Sequence, residues 1–257
     1  MTRFALPAAL ASVLALPVAA DTAIGLAGER TLVMIDLAAG QVTGMMELDL
    51  DGQLLGIDYR PATDSLIGVT EAFEVVEIDP MTGSWSLIVA MDTEMEIADG
   101  APVIVDINPA ADALRFMSGT VNHRINLSSG AVMVDGDLTF TDGTEGMPMV
   151  GGTAYSNSFG NPESTAMYNI DTDRAALLRQ TAPNDGDNTV IGMLDVTFEG
   201  PVGFDIVTNA EGANTAWLAA NGMVHTLSLE DGSVTESWTI EGLDVTLRDL
   251  TVMAAAD

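Results

Sequence analysis

Leu54–Val89 reads LLGIDYRPATDSLIGVTEAFEVVEIDPMTGSWSLIV, and its punctuation decides the fold. An apolar run through Gly56-Ile57-Asp58 stops at the turn formers Arg60–Asp64, and Leu66–Thr70 begins a second run. Val75–Ile78 is a third run, Asp79-Pro80-Met81-Thr82 bends onto Gly83, and Trp85–Val89 is a fourth. Runs of this length, rich in Val, Ile, Leu and Thr and separated by Pro, Asp and Gly, predict four antiparallel strands joined by tight turns.

The same unit returns along the chain. Its Asp-bearing first strand is LLGIDYRP at 54–61 and PVIVDINP at 102–109, then VGGTAYSN at 150–157, VGFDIVTN at 202–209 and TLRDLTVM at 246–253. Aligned by residue type, the matching positions are Asp58, Asp106, Ala154, Asp205 and Asp249, at intervals of 48, 48, 51 and 44 residues. The later strands repeat as TLVMIDLAAG, EVVEIDPMTG, HRINLSSG and HTLSLEDG, ending at Gly40, Gly83, Gly130 and Gly232, where a positive φ is expected. In the fourth unit the strands fall within 165–180 and 189–194, with the register left open.

A period of about 47 residues suits four short strands and their turns, the size of a propeller blade. About 237 residues after the leader divide into five such units, whereas seven blades would leave too few residues in each. Thr22–Leu48 has strands two to four but no first strand, and Thr246–Met253 is a first strand with nothing after it. Pairing the two closes a five-bladed, all-β propeller and removes its open edges. A β-sandwich would need no such repeat.

MTRFALPAALASVLALPVAA at 1–20 has the form of a secretory signal peptide: Arg3, a short apolar core, and Val18-Ala19-Ala20 before Asp21. It is too short and too rich in Ala and Pro for a membrane span. The expectation is a secreted protein, periplasmic or extracellular, forming a single domain over 21–257 with no membrane span after cleavage. There is no Cys, which excludes disulfides and lipid attachment at cysteine. The basic residues are eight Arg against 38 acids, and the net charge of −30 disfavours nucleic acid and anionic lipid as partners. The acidic coat is read as a solvated surface, or as one that attracts cations, and added salt is expected to raise the melting temperature.

LLGIDYRPATDSLIGV, VDINPAADALRFMSG, HRINLSSG, TAYSN, PNDGDNTVIGMLDV and GFDI, in this order, resemble the signatures of a secreted bacterial domain of unknown function, the family numbered 4394. Ala113, Phe116 and the pair Asn122-His123 depart from its pattern. The resemblance implies a secreted, propeller-like fold and no established activity.

Two residue sets carry the candidate chemistry. Asp58, Asp106, Asp205 and Asp249, on the first strand of each unit, would ring the axis and offer hard oxygens to Ca2+, the one cofactor considered. Alternatively each accepts hydrogen bonds from its own turn or from the next blade, fixing the blades in register. Arg60, Asn108, Arg115, Arg124 and Asn157 form a polar set that would clamp a carboxylate or phosphate of a ligand. The alternative is internal bridging, with Arg115 on Asp112 and Arg124 on a neighbouring acid. The turns at 49–52 and 185–188 lack the full calcium-loop spacing, His123 and His225 lie too far apart in sequence to suggest zinc, and Trp85 and Trp238 suit packing between blades. The reading that follows is a monomeric, non-enzymatic module binding a small molecule or an envelope protein. The rivals are a glycoside-type hydrolase or lyase using the axial carboxylates, and a purely structural envelope role.

Overall fold

Short runs buried on both faces and closed by tight turns suit small antiparallel sheets stacked face to face, since each sheet then covers a side of the next. The computed structural model describes residues 22–253, and the segment 1–20, read above as a signal peptide, lies outside them. The described residues form 21 strands and no helix.

The first blade is β1 (Thr22–Ala27), β2 (Thr31–Asp36) and β3 (Gln41–Glu47), with β21 (Leu247–Met253) as its inner strand. The second is β4 (Leu54–Arg60), β5 (Ser65–Thr70), β6 (Glu74–Ile78) and β7 (Trp85–Ala90). The third is β8 (Val103–Asn108), β9 (Ala113–Ser118), β10 (Val121–Asn126) and β11 (Val132–Val134). The fourth contains β13 (Val150–Tyr155), β14 (Met167–Asp171), β15 (Ala176–Ala182) and β16 (Asp187–Met193). The fifth is β17 (Gly203–Thr208), β18 (Asn214–Ala220), β19 (Met223–Leu227) and β20 (Val234–Thr239). The inner strands β4, β8, β13, β17 and β21 neighbour one another in a closed ring.

The five-bladed propeller expected from the repeat is therefore the observed fold. Its ring closes as the end pieces required, with β21 antiparallel to β1 from Thr22↔Met253 to Leu26↔Asp249 and a bulge at Arg248. Gly40, Gly83, Gly130 and Gly232 all sit at positive φ, between 63° and 78°. At Gly130 the space is also needed, because a Cβ would lie 2.0 Å from the carbonyl oxygen of Ala90 in the preceding blade.

The fourth unit resolves the register left open in the sequence. β16 starts two residues before Thr189 and pairs with β15 across two irregularities. An unforeseen short strand, β12 (Thr139–Phe140), comes from the long connection before β13 and adds parallel to β16, covering that outer edge.

Four of the five blade interfaces are filled with apolar side chains. Leu32, Leu54 and Ile57 belong to the cluster joining the first and second blades, and Phe116 and Val69 to that joining the second and third. Leu218 and Ile170 link the fourth and fifth, while Trp217 meets Trp238 edge-on at 5.6 Å in the cluster joining the fifth blade to the first. The third and fourth blades share only a small apolar cluster around Met117 and Met167. The rest of that interface is a buried polar network. Arg115 donates to Tyr155, Asn122, Asp135 and Asn184, and a ladder of Thr153, Asn169, Gln180 and Asn188 crosses the fourth blade.

Candidate functional site

The axis is lined by the inner strands, and alternation places every second residue there. The side chains of Asp58, Asp106 and Asp205 are 6%, 3% and 8% exposed, and an oxygen from each lies within 4.8 Å of the others. Each carboxylate also ties its blade to the next. Asp58 Oδ2 accepts from the Ile107 amide at 2.6 Å, and Asp205 Oδ2 from the Val252 amide at 2.6 Å. Asp106 accepts from the Tyr155 amide in the same manner. The second oxygen of Asp58 takes the next amide of its own strand, Tyr59, at 2.8 Å, and that of Asp205 takes Ile206 at 2.6 Å.

This pattern corrects the alignment by residue type at its last position. In the ring, the acceptor for the residue after Asp58 is Thr251, whose Oγ1 receives the Tyr59 amide at 3.0 Å. Thr251 also donates its hydroxyl among Asp58 and Asp205, at 2.9 and 3.1 Å. The fifth place thus belongs to Thr251, 46 residues after Asp205 and nearer the common interval than Asp249. Asp249 lies two residues earlier, where it accepts the amides of Ile57 and Leu250, both at 2.9 Å. At Ala154 the tie is missing, and Ser158 with Thr208 replaces it through reciprocal amide–hydroxyl bonds of 2.7 and 3.0 Å between the fourth and fifth blades.

Among the described residues no Arg forms an ion pair with the axial acids. Burial therefore dominates their protonation. It pushes the carboxyls of Asp58 and Asp106 well above the usual range, with mutual charge repulsion adding to it, and raises Asp205 as well. Asp249 is pushed up to about 7 by burial, against the pull of its two amides and of Arg248. The three ring acids face a cavity of ≈ 10 Å³ also lined by Tyr155, Ser158 and Val252, close to the space one water needs.

The second candidate set is dispersed, and its members bond within the protein. Arg60 makes a bidentate bridge to Asp112, so Asp112 is not the partner of Arg115. Arg115 instead shares Asp135 with Arg124, at 2.6 Å from Arg115 and 2.7 and 2.8 Å from Arg124. Asp135 lies in the connection after β11, outside the strand pattern from which a partner was sought. Asn108 caps its own turn through the Ala110 and Ala111 amides. Asn157, at a φ of 61°, exchanges hydrogen bonds with Asn214 of the fifth blade.

Residues 31–251 match the family model described as Domain of unknown function (DUF4394). The chain belongs to this family. No curated protein matches it. Among solved structures, a Bacteroides thetaiotaomicron structural genomics protein of unknown function aligns at 16% identity and a TM-score of 0.51, over 77% of this DUF4394 chain and 53% of that one. The calcium-binding protein regucalcin from Agrobacterium tumefaciens aligns at 19% identity and a TM-score of 0.47, over 83% and 68% of the two chains. A luciferin-regenerating enzyme aligns at 14% identity and 0.47, over 82% and 70%. At 16% identity the first of these likenesses is one of fold alone.

Proposed function

We propose that this DUF4394 protein is a secreted, non-enzymatic binding propeller whose axis holds a single hard cation, Ca2+, on Asp58, Asp106 and Asp205. The observation that carries the reading is the convergence of three buried carboxylates within 4.8 Å on one cavity of ≈ 10 Å³. A carboxylate offers about four lone-pair positions, and the interblade amides use only some of them. Burying three such charges without a counter-ion is costly, and either protons or a cation must offset them. Oxygen ligands of this type suit Ca2+. Asp249, set back by two residues, belongs to the outer shell of such a site rather than to its ligands.

The same geometry weighs against the hydrolase or lyase alternative. Glycosidic cleavage places its two carboxyls about 5–9.5 Å apart with a sugar between them. Here the space that the acids enclose, ≈ 10 Å³, does not admit a sugar ring. The partner is accordingly a small molecule or an envelope protein bound at a mouth of the ring, in keeping with the leader-like segment 1–20.

The test is thermal unfolding after EDTA treatment, with CaCl2 titrated at constant ionic strength and MgCl2 as comparator. A saturable rise with Ca2+ is expected, equivalent to about 2.7 kcal/mol at a hundred times Kd, and it should be lost in Asp106→Asn. An absence of stabilisation at millimolar Ca2+, or an equal response in Asp106→Asn, would overturn the proposal.

A further inference from the structure

A larger cavity of ≈ 650 Å³ opens at the end of the ring where the inner strands begin. Every blade contributes to it: Leu55 from the second, Val103 from the third, Gly151 from the fourth, Val202 before the fifth and Arg248 from the strand that closes the first. Ile97 and Pro102, in the connection between β7 and β8, form part of the rim. The volume falls in the range of small-molecule sites, about 300–1,000 Å³, and the lining is mainly apolar. Leu55 lies three residues above Asp58, so at roughly 3.3 Å per residue this basin stands about 10 Å from the axial acids.

Its charge is unusual for this molecule. Among the described residues no Asp or Glu lines the basin, although acids outnumber Arg 38 to 8 in the sequence. Arg30, Arg60, Arg115, Arg124 and Arg174 each have a carboxylate partner, and Arg179 lies over the Tyr168 ring. Arg248 has neither. Its guanidinium donates to four backbone carbonyls, Gly28, Glu29, Leu54 and Leu55. Those bonds fix the group in place at the seam between the first two blades and leave one Nη1 N–H of its five donors unused. Asp249 beside it directs both oxygens to backbone amides. The flanking Asp99 and Glu199 are exposed and do not line the basin.

We infer that this basin binds a small organic acid, an apolar body carrying a single carboxylate, with the anionic end toward Arg248. An apolar wall supplies the burial, and an immobilised cation with no hydrogen-bonded carboxylate, acted on only through space by Asp249, supplies selection for charge at little entropic cost. The inference does not depend on the axial cation.

Octanoate is the probe, with octanol and octylammonium as neutral and cationic counterparts, measured by calorimetric titration of the protein. Octanoate should bind and both counterparts should bind at least about tenfold more weakly. Gln53→Glu places a carboxylate in the lining without enlarging a side chain, and Gln53 is partly exposed, so the fold tolerates it. This variant should weaken octanoate binding by about tenfold or more while keeping the parent melting temperature. Octanol binding as tightly as octanoate, preferred binding of octylammonium, no octanoate binding, or an unchanged affinity in Gln53→Glu would overturn the assignment. A Ca2+ response without an octanoate response overturns this inference and leaves the axial reading standing; octanoate binding without a Ca2+ response does the reverse.

Discussion

Replacing Asp249 with Asn should remove a defined part of the pH dependence of stability. The Asp249 carboxyl rises from an ordinary value of 3.8 to about 7 in the folded chain because it is buried. A carboxyl raised on folding contributes stability that is complete below the unfolded value and is lost as pH rises through the folded one. Across the whole span from pH 4 to 8 the loss is on the order of 4 kcal/mol, and between pH 5.5 and 8 it is about 2 kcal/mol. His123 and His225 are lowered by burial and act in the opposite sense, gaining stability as pH rises toward the unfolded histidine value near 6.5. Those contributions are common to both proteins and cancel in the comparison. The asparagine side chain keeps one acceptor for two amides, which shifts the variant's stability by a constant and not its slope. Urea unfolding in EDTA at pH 5.5 and 8 provides the measurement. The parent protein should lose about 2 kcal/mol more than Asp249→Asn between the two pH values, or about 1 M in midpoint for an m of roughly 2 kcal/mol/M. Equal pH responses would refute the reasoning.

Further outcomes follow from other parts of the ring. Arg115→Met leaves Asp135 with Arg124 alone and strips donors from Tyr155, Asn122 and Asn184; a loss of about 3 kcal/mol in urea unfolding is expected, and less than about 1 would show the network to be dispensable. Ending the chain at Thr246 removes β21, the inner partner of β1, and the amide that Asp205 accepts. The truncated chain should lose its cooperative thermal transition, and an unaltered melting temperature would refute closure by that strand. Because the chain carries a net charge of −30, NaCl raised from low to molar concentration should increase the melting temperature, and a flat or falling profile would remove self-repulsion as a factor.

What the sequence could disclose depended on whether a feature repeats. Blade number and the positive-φ glycines come from features that recur from unit to unit, so one unit interprets the others, and ring closure comes from the strand that one end lacks and the other supplies. The three acids that converge on the axis were legible for the same reason. Thr251 was not, because matching by letter selects the nearby Asp249, whereas the backbone only requires an oxygen opposite the Tyr59 amide. A threonine hydroxyl meets that requirement, and at Ala154 it is met from elsewhere by Ser158 and Thr208. Arg115 was paired with the wrong acid because Asp135 lies in a connection belonging to no repeat, and β12 comes from the same connection.

The basin at the ring mouth is the extreme case of this limit. Its walls come from five strand beginnings distributed from Leu55 to Arg248, and none of those residues forms a motif with another in sequence. The acceptors that hold Arg248 are backbone carbonyls, which any residue type supplies and no pattern marks. Recurrence along the chain thus reports the scaffold, whereas the properties that would distinguish one ligand from another arise where the repeats deviate: a cation at the bulge of the closing strand, an alanine in a ring of acids, and a polar interface between two of five otherwise apolar-packed blades. If the octanoate and Ca2+ titrations respond to separate substitutions, Gln53→Glu and Asp106→Asn, the scaffold carries two independent sites about 10 Å apart on one axis.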